Sequence, residues 1–329
     1  MNDGAITAPA TELAARPGTS LVRRLMRSET PIMLYAALIG LVVVFGVLSP
    51  AFLTVDNFAN VGRQTALVSI MAVGVAFVIV SGEIDLSVGS TVALSGLLSA
   101  LAMQHLGLGW LVGALAGLAT GALVGLVNGV LTVRLAIPSF LVTLGMMGVV
   151  RGVALMATNT QPVLANDFSY QRIFGEGYIA GIPAPIAWTV VAVVGGFILL
   201  HHTVFGQKVF ATGGNATAAR YSGINTNRVR ILVFVISGIL AGFAALVMTA
   251  RFHAARPDVG SGLELDVIAA VILGGTSLFG GRGTILGAFL GSILIGVINN
   301  GLILLGVDSS VQLAIKGLII IVAVAISRR

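Results

Sequence analysis

Only a few side chains in this sequence have the type and spacing to do chemistry. Glu83 and Asp85 stand with Ser87 and Ser90 in Gly82–Ser90, the most polar interruption of the chain's first half. A second acidic stretch, Ser261–Val267, holds Glu264 and Asp266. Carboxylates and hydroxyls in such a cluster suit a polyhydroxylated solute, and they can line a polar pathway. They can equally do structural work: Asp85 can cap the helix that follows by accepting the Ser87 or Val88 amide. The histidines His105, His201, His202 and His253 are scattered, with no H-E-x-x-H or similar ligand spacing, so a metal enzyme is disfavoured. The chain has no Cys, which excludes disulfides, thiolate zinc sites and cysteine nucleophiles. No G-x-x-x-x-G-K-[ST] occurs, so the chain supplies no phosphate cradle of that type.

The elements that must position these residues are set by composition. Hydrophobic residues make up 57% and charged residues 9% of 329 residues, against roughly 45–50% and about 25% in a soluble domain. So few charges cannot dress the surface of a soluble body. The mean hydropathy of +1.05 points to a polytopic, all-α membrane protein. The net charge of +6 is then a matter of topology and no sign of nucleic-acid binding. About ten apolar segments can be marked, at roughly 31–49, 64–81, 84–103, 109–131, 136–156, 184–201, 231–250, 267–281, 284–305 and 310–327. The eighth is the shortest. Residues 1–30 read as a disordered cytoplasmic tail, and residues 31–329 as a transmembrane domain in contact with lipid. A cleaved signal peptide is not expected, because the apolar run begins too late and is too long. Arg23, Arg24 and Arg27 place the N-terminus inside, and ten spans also bring Arg328 and Arg329 inside.

Two stretches of the chain look alike. Each acidic stretch is followed by an Asn-Gly pair, Asn128-Gly129 and Asn300-Gly301, and then by a glycine, Gly145 and Gly317. These landmarks align spans two to five with spans seven to ten. An offset of five spans inverts the topology of one half relative to the other, as in many transporters. Asn128, Asn299 and Asn300 near span ends are expected to be interhelical hydrogen-bond partners. Arg151 is expected to snorkel from the end of its span. Lys316 lies deeper, and its ammonium needs a carboxylate from Asp308, Glu264 or Asp266 unless it too reaches outward. His201-His202 reads as an interfacial anchor.

Between spans six and seven lies a loop, 202–230, rich in signals. Asn215 is a good N-cap, Ala216 to Ser222 contains strong helix formers, and Gly223 is a suitable stop. The spacing predicts a helix of about two turns flanked by loops. It either docks into a partner's groove or lies on the membrane interface.

Gly213-Gly214-Asn215 through Ala218-Ala219-Arg220, followed by Ser222-Gly223-Ile224-Asn225, resembles the coupling segment of ribose-type permeases, the membrane subunits of bacterial sugar ABC importers. Gly82–Ser90 is similar to the family's first-half signature, with Glu83 where Gly often stands. Ile137-Pro138-Ser139-Phe140 with Thr143-Leu144-Gly145 also resembles the family, with Ser139 where Pro is commoner. Gly274-Gly275-Thr276-Ser277 and Gly280-Gly281-Arg282-Gly283 match as well. The resemblance implies a multi-pass bacterial inner-membrane protein that is not itself an enzyme. It implies a second permease subunit, identical or related, and a periplasmic or lipid-anchored binding protein that delivers a monosaccharide or polyol. It also implies a cytoplasmic ATPase that grips the coupling segment, with ATP and Mg on that partner and no cofactor on this chain. It adds Ser139, Phe140 and Thr143 to Glu83, Asp85, Ser87, Ser90, Asn128 and Asn300 as the expected pathway residues. An ion-coupled secondary transporter is the competing reading. It would share the inverted repeat but would normally place carboxylates or His within spans.

Overall fold

The structure, a computed structural model, describes residues 32–104 and 106–327. The expected tail 1–30, His105, and the basic residues Arg23, Arg24, Arg27, Arg328 and Arg329 lie outside the described residues. The chain runs through α1 (Ile32–Leu48), α2 (Val55–Val80), α3 (Val88–Gln104), α4 (Gly109–Arg134) and α5 (Ser139–Ala157). An irregular stretch then carries β1 (Val163–Leu164), α6 (Phe168–Tyr170), a π-helical turn (Gln171–Glu176), β2 (Tyr178–Ile179) and β3 (Ile182–Pro183). The second half holds α7 (Ala184–His201), α8 (Val204–Gly214), α9 (Ala216–Tyr221), α10 (Thr226–Phe252), β4 (Ala254–Ala255), α11 (Leu263–Leu273), α12 (Ile285–Leu304) and α13 (Ser309–Ser327). The short strands pair as β1 with β4 and as the hairpin β2–β3, both antiparallel. Among the described residues, six helices are long and apolar enough to cross a membrane: α2, α4, α5, α7, α10 and α12.

Several helix ends differ from the sequence expectation, each for a local reason. Helix α2 begins at Val55 rather than near 64, because the Thr54 hydroxyl accepts the Asn57 amide and caps a polar first turn. Helix α10 begins at Thr226 rather than 231, with the Asn225 side chain accepting the Arg228 amide. Helix α3 starts at Val88, leaving 83–87 non-helical. Helix α11 stops at Leu273, eight residues short of expectation, where the Gly274-Gly275 pair turns the chain.

Helix α2 is the axis of the fold. Every residue from Thr65 to Val80 is buried, as suits a helix that is apolar on all sides. Helices α7, α8, α10, α11 and α12 pack against it. Helix α10 also crosses α4 at backbone distance. A methyl group on Gly121 would strike the Gly238 carbonyl, and one on Gly125 would strike that of Phe234. Small residues at such crossings let helices approach in lipid, where packing replaces the hydrophobic drive. Helix α10 lies beside the first acidic stretch, where Arg230 and Ser237 meet Glu83 and Asp85. A separate cluster of Trp110, Tyr170, Phe174, Trp188 and Phe243 seats the irregular stretch on the bundle, with the Trp188 indole donating to the Ile173 carbonyl at 2.8 Å. Burial pushes the Tyr170 phenol above its ordinary range.

Candidate functional site

The first acidic stretch leaves α2 by a turn that only glycine makes cheaply. Gly82 has a left-handed backbone with φ of 85°. The Gly82 amide donates to Ile79 and the Glu83 amide to Val78, closing the helix end. From there residues 83–87 run non-helically to α3, and neighbours hold several of their polar groups. The Ile84 amide donates to the Ser139 hydroxyl at 3.1 Å, and the Thr143 hydroxyl donates to the Ile84 carbonyl at 3.2 Å. Asp85 Oδ1 accepts both the amide and the hydroxyl of Ser87, at 2.9 and 2.7 Å. Asp85 Oδ2 accepts the Ser237 hydroxyl of α10 at 3.0 Å. The Asn128 amide group of α4 donates to Ser87 Oγ at 2.8 Å. Ser90 donates back to the Ser87 carbonyl. Glu83 forms an ion pair with Arg230 of α10, 2.8 Å between Oε1 and Nε. Glu83, Asp85, Ser87, Ser90, Asn128, Ser139 and Thr143 are all buried.

Structure therefore gathers seven of the nine expected pathway residues into one connected neighbourhood. Phe140 does not join it: its side chain is exposed on the outer face of α5. Asn300 does not join it either. Its side chain exchanges two hydrogen bonds of 3.0 Å with Asn57, joining α12 to α2. Asp85 accepts the Ser87 amide as expected, but it stands three residues before α3, which starts at Val88, and not at the helix cap itself.

The loop 202–230 is more helical than its sequence suggests. Residues 204–214, expected as part of a flanking loop, form α8, capped by the Thr203 hydroxyl. Asn215 then breaks the helix and caps α9, accepting the Thr217 and Ala218 amides. Gly223 ends α9 with φ of 82°. The product is a helical elbow. Ala219 is buried at its base while Gly223 and Arg220 face outward, and Tyr221 is 90% exposed.

This elbow abuts the polar turn. A methyl on Gly213 would collide with the Val80 carbonyl and the Gly281 amide, and one on Gly280 would meet Gly82. The Gly281 amide donates to the Val80 carbonyl at 2.9 Å. Three glycine turns, at 82, 213–214 and 280–281, thus meet backbone to backbone.

The second acidic stretch converges on the first from another side. A methyl on Gly89 would strike the Gly260 carbonyl and the Glu264 carboxylate. Asp266 pairs with Lys316 of α13 at 2.9 Å, which selects one of its three expected partners. The Asn299 amide group reaches the same Asp266 oxygen at 3.5 Å. The Arg151 guanidinium of α5 donates to the Pro257 and Val259 carbonyls in the loop that follows α10. A cavity of about 470 Å³ lies alongside, lined in part by Gly96, Thr249, Arg256 and Asp258. Arg256 donates two hydrogen bonds to Asp258 and holds its carboxyl below the usual carboxylate range.

Sequence reasoning missed Arg230 and Ser237 as site residues. The signal was present: they are seven residues apart, two helical turns, and so share one face of α10. Among the described residues no group of His, Asp and Glu is arranged to hold a metal ion. The arrangement as a whole is a solvent-shy polar seam joined to a projecting elbow.

Comparison with known proteins gives a consistent picture. Residues 57–324 match the family model described as "Branched-chain amino acid transport system / permease component". The chain is 44% identical over 297 residues to the ribose import permease protein RbsC of Bacillus subtilis (strain 168), covering 90% of this chain and 92% of the relative. It is 37% identical over 289 residues to the D-allose transport system permease protein AlsC of Escherichia coli (strain K12), covering 88% of each. It is 39% identical over 297 residues to the L-arabinose ABC transporter permease protein AraH of Azospirillum brasilense, covering 87% and 86%. No solved structure matches the chain.

Proposed function

This chain belongs to the family of branched-chain amino acid transport system permease components, and from that premise we propose that it is the membrane subunit of an ATP-driven importer for a monosaccharide or related polyol. The substrate class follows from relatives named for ribose, allose and arabinose, which favour this reading over an ion-coupled transporter. The subunit is not an enzyme. ATP and Mg belong to a partner ATPase, since the chain carries no phosphate-cradling motif.

The single observation that carries the mechanism is the elbow locked to the polar turn. A projecting capped helix suits a groove on a cytoplasmic ATPase. Its base, at Gly213, touches the turn that holds Glu83 and Asp85. Motion imposed on the elbow would reach the seam directly. The reading of ten crossings takes the six long helices with the shorter apolar α1, α3 and α13, and counts the 11-residue α11 as the tenth; an even count would put both termini on the cytoplasmic side of a bacterial inner membrane. The inverted repeat rests on the sequence landmarks, and the side-chain contacts differ between the halves: Asp85 reaches Asn128 of α4 through Ser87, whereas Asn300, the counterpart of Asn128, pairs with Asn57. The seam alone does not enclose a solute. A second permease subunit, identical or related, completes the pathway, and a periplasmic or lipid-anchored binding protein delivers the sugar.

Co-purification tests this. The tagged chain in mild detergent should retain an ATPase in stoichiometric amount, and a variant deleted between Gly213 and Gly223 should lose it. Absence of any ATPase, together with uptake driven by an ion gradient, would sink the proposal.

A further inference from the structure

The backbone contact between the elbow and the polar turn has one limitation. Glycine surfaces in van der Waals contact resist compression, so the elbow can push the turn, but such contact transmits no pull. Alternating access needs both directions. The Gly281–Val80 hydrogen bond ties the turn to the second half of the chain, while the elbow is held to α2 by apolar packing, Phe205 stacking on Phe77 beside the buried Val209, and among the described residues makes no side-chain hydrogen bond to 82–87.

We propose that the Glu83–Arg230 ion pair is the return tether: it makes the polar turn follow the elbow when the elbow withdraws. This rests on the reading of the elbow as the ATPase-coupling segment. Arg230 stands in the second turn of α10, which starts at Thr226, directly after the elbow's last helix ends at Tyr221. The Ile224 amide donates to the Ala219 carbonyl, which ties that short link to the elbow. Arg230 therefore moves with the elbow. Glu83 is on the turn itself, one residue beyond Gly82, and is only 7% exposed. If α10 shifted and the turn stayed behind, the Glu83 carboxylate would be left buried without its counter-charge. That cost is large, far larger than the modest net value of forming the pair. The asymmetry is what makes the pair a tether. Ser237, two turns further along the same helix, holds Asp85 and keeps the turn parallel to α10. Glu83 and Arg230 are positioning residues here and need not touch the sugar.

The test uses the complete importer in proteoliposomes, with its ATPase and binding protein, and reads sugar imported per ATP hydrolysed. Glu83→Gln and Arg230→Gln should each lower that ratio by about fivefold or more, the range of a coupling interaction, while the ATPase stays bound in wild-type amount. The reciprocal exchange, Glu83→Arg with Arg230→Glu, should restore much of it. The chain has no native Cys, which allows a second arm. A Glu83→Cys/Arg230→Cys variant should be uncoupled as free thiols and recoupled when a short bifunctional maleimide joins them. Single variants that import at the wild-type ratio would overturn the tether, as would a cross-linked variant that stays uncoupled. A wild-type complex that shows no ATP-dependent uptake would instead overturn the functional reading itself.

Discussion

Asp85 and Asp266 are both buried carboxylates, and they are satisfied in different ways. Asp85 is surrounded by neutral donors, Ser87 and Ser237, whereas Asp266 faces the Lys316 ammonium at 2.9 Å. Removing one member of a buried pair strands the other, and costs about 3–5 kcal/mol. Lys316→Met should therefore lower the thermal unfolding midpoint of the purified protein sharply. Adding Asp266→Leu to it should recover most of the loss, since no charge is then left alone. If the double variant is no more stable than the single one, the pair is not what holds α13 to α11. The same logic explains the partners of Arg151. The carbonyls of Pro257 and Val259 offer its guanidinium two acceptors that the lipid face lacks.

At the scale of elements, the decisive unit is the glycine contact between the elbow and the polar turn. Gly213 and Gly223 differ in what they are for. Gly213 is small because backbone occupies the space its side chain would need, whereas Gly223 has open surroundings and a left-handed backbone. Gly223→Ala should thus cost only about 1–2 kcal/mol, the strain of a left-handed non-glycine residue. Gly213→Ala should push the elbow off the turn and reduce transport even where the protein still inserts. Uptake normalised to membrane abundance separates the two. Arg220 is exposed on the elbow and makes only a 3.4 Å bond to the Ala216 carbonyl. Reversing its charge, Arg220→Glu, should leave insertion intact and lower uptake by about tenfold or more if it meets an acidic partner groove. Normal uptake by that variant would remove Arg220 from the docking surface.

For the whole molecule, most of the polar seam is engaged by its own neighbours, with Asn128 Oδ1 left unpartnered, so this subunit alone offers few groups to a sugar. Titration of the purified chain with ribose, allose or arabinose should show no binding tighter than about 10 µM. Binding in that range would mean that this subunit holds a specific site of its own. Composition and hydropathy alone determined the membrane class, the helical make-up and the approximate location of the apolar segments, because those depend on local averages over a helix length. Local chemistry also determined the Asn215 cap and the Gly223 stop, since a cap is made within a few residues. Partners of the polar groups were decided only by tertiary structure. Ser237 reaches Asp85 across 152 residues of sequence, and neither the pattern around Asp85 nor that around Ser237 names the other. Arg230 went unnoticed as the partner of Glu83, because charge is visible in a sequence while its neighbours are not. Helix packing at glycine contacts chose those neighbours, and with them the seam that joins the elbow to the interior.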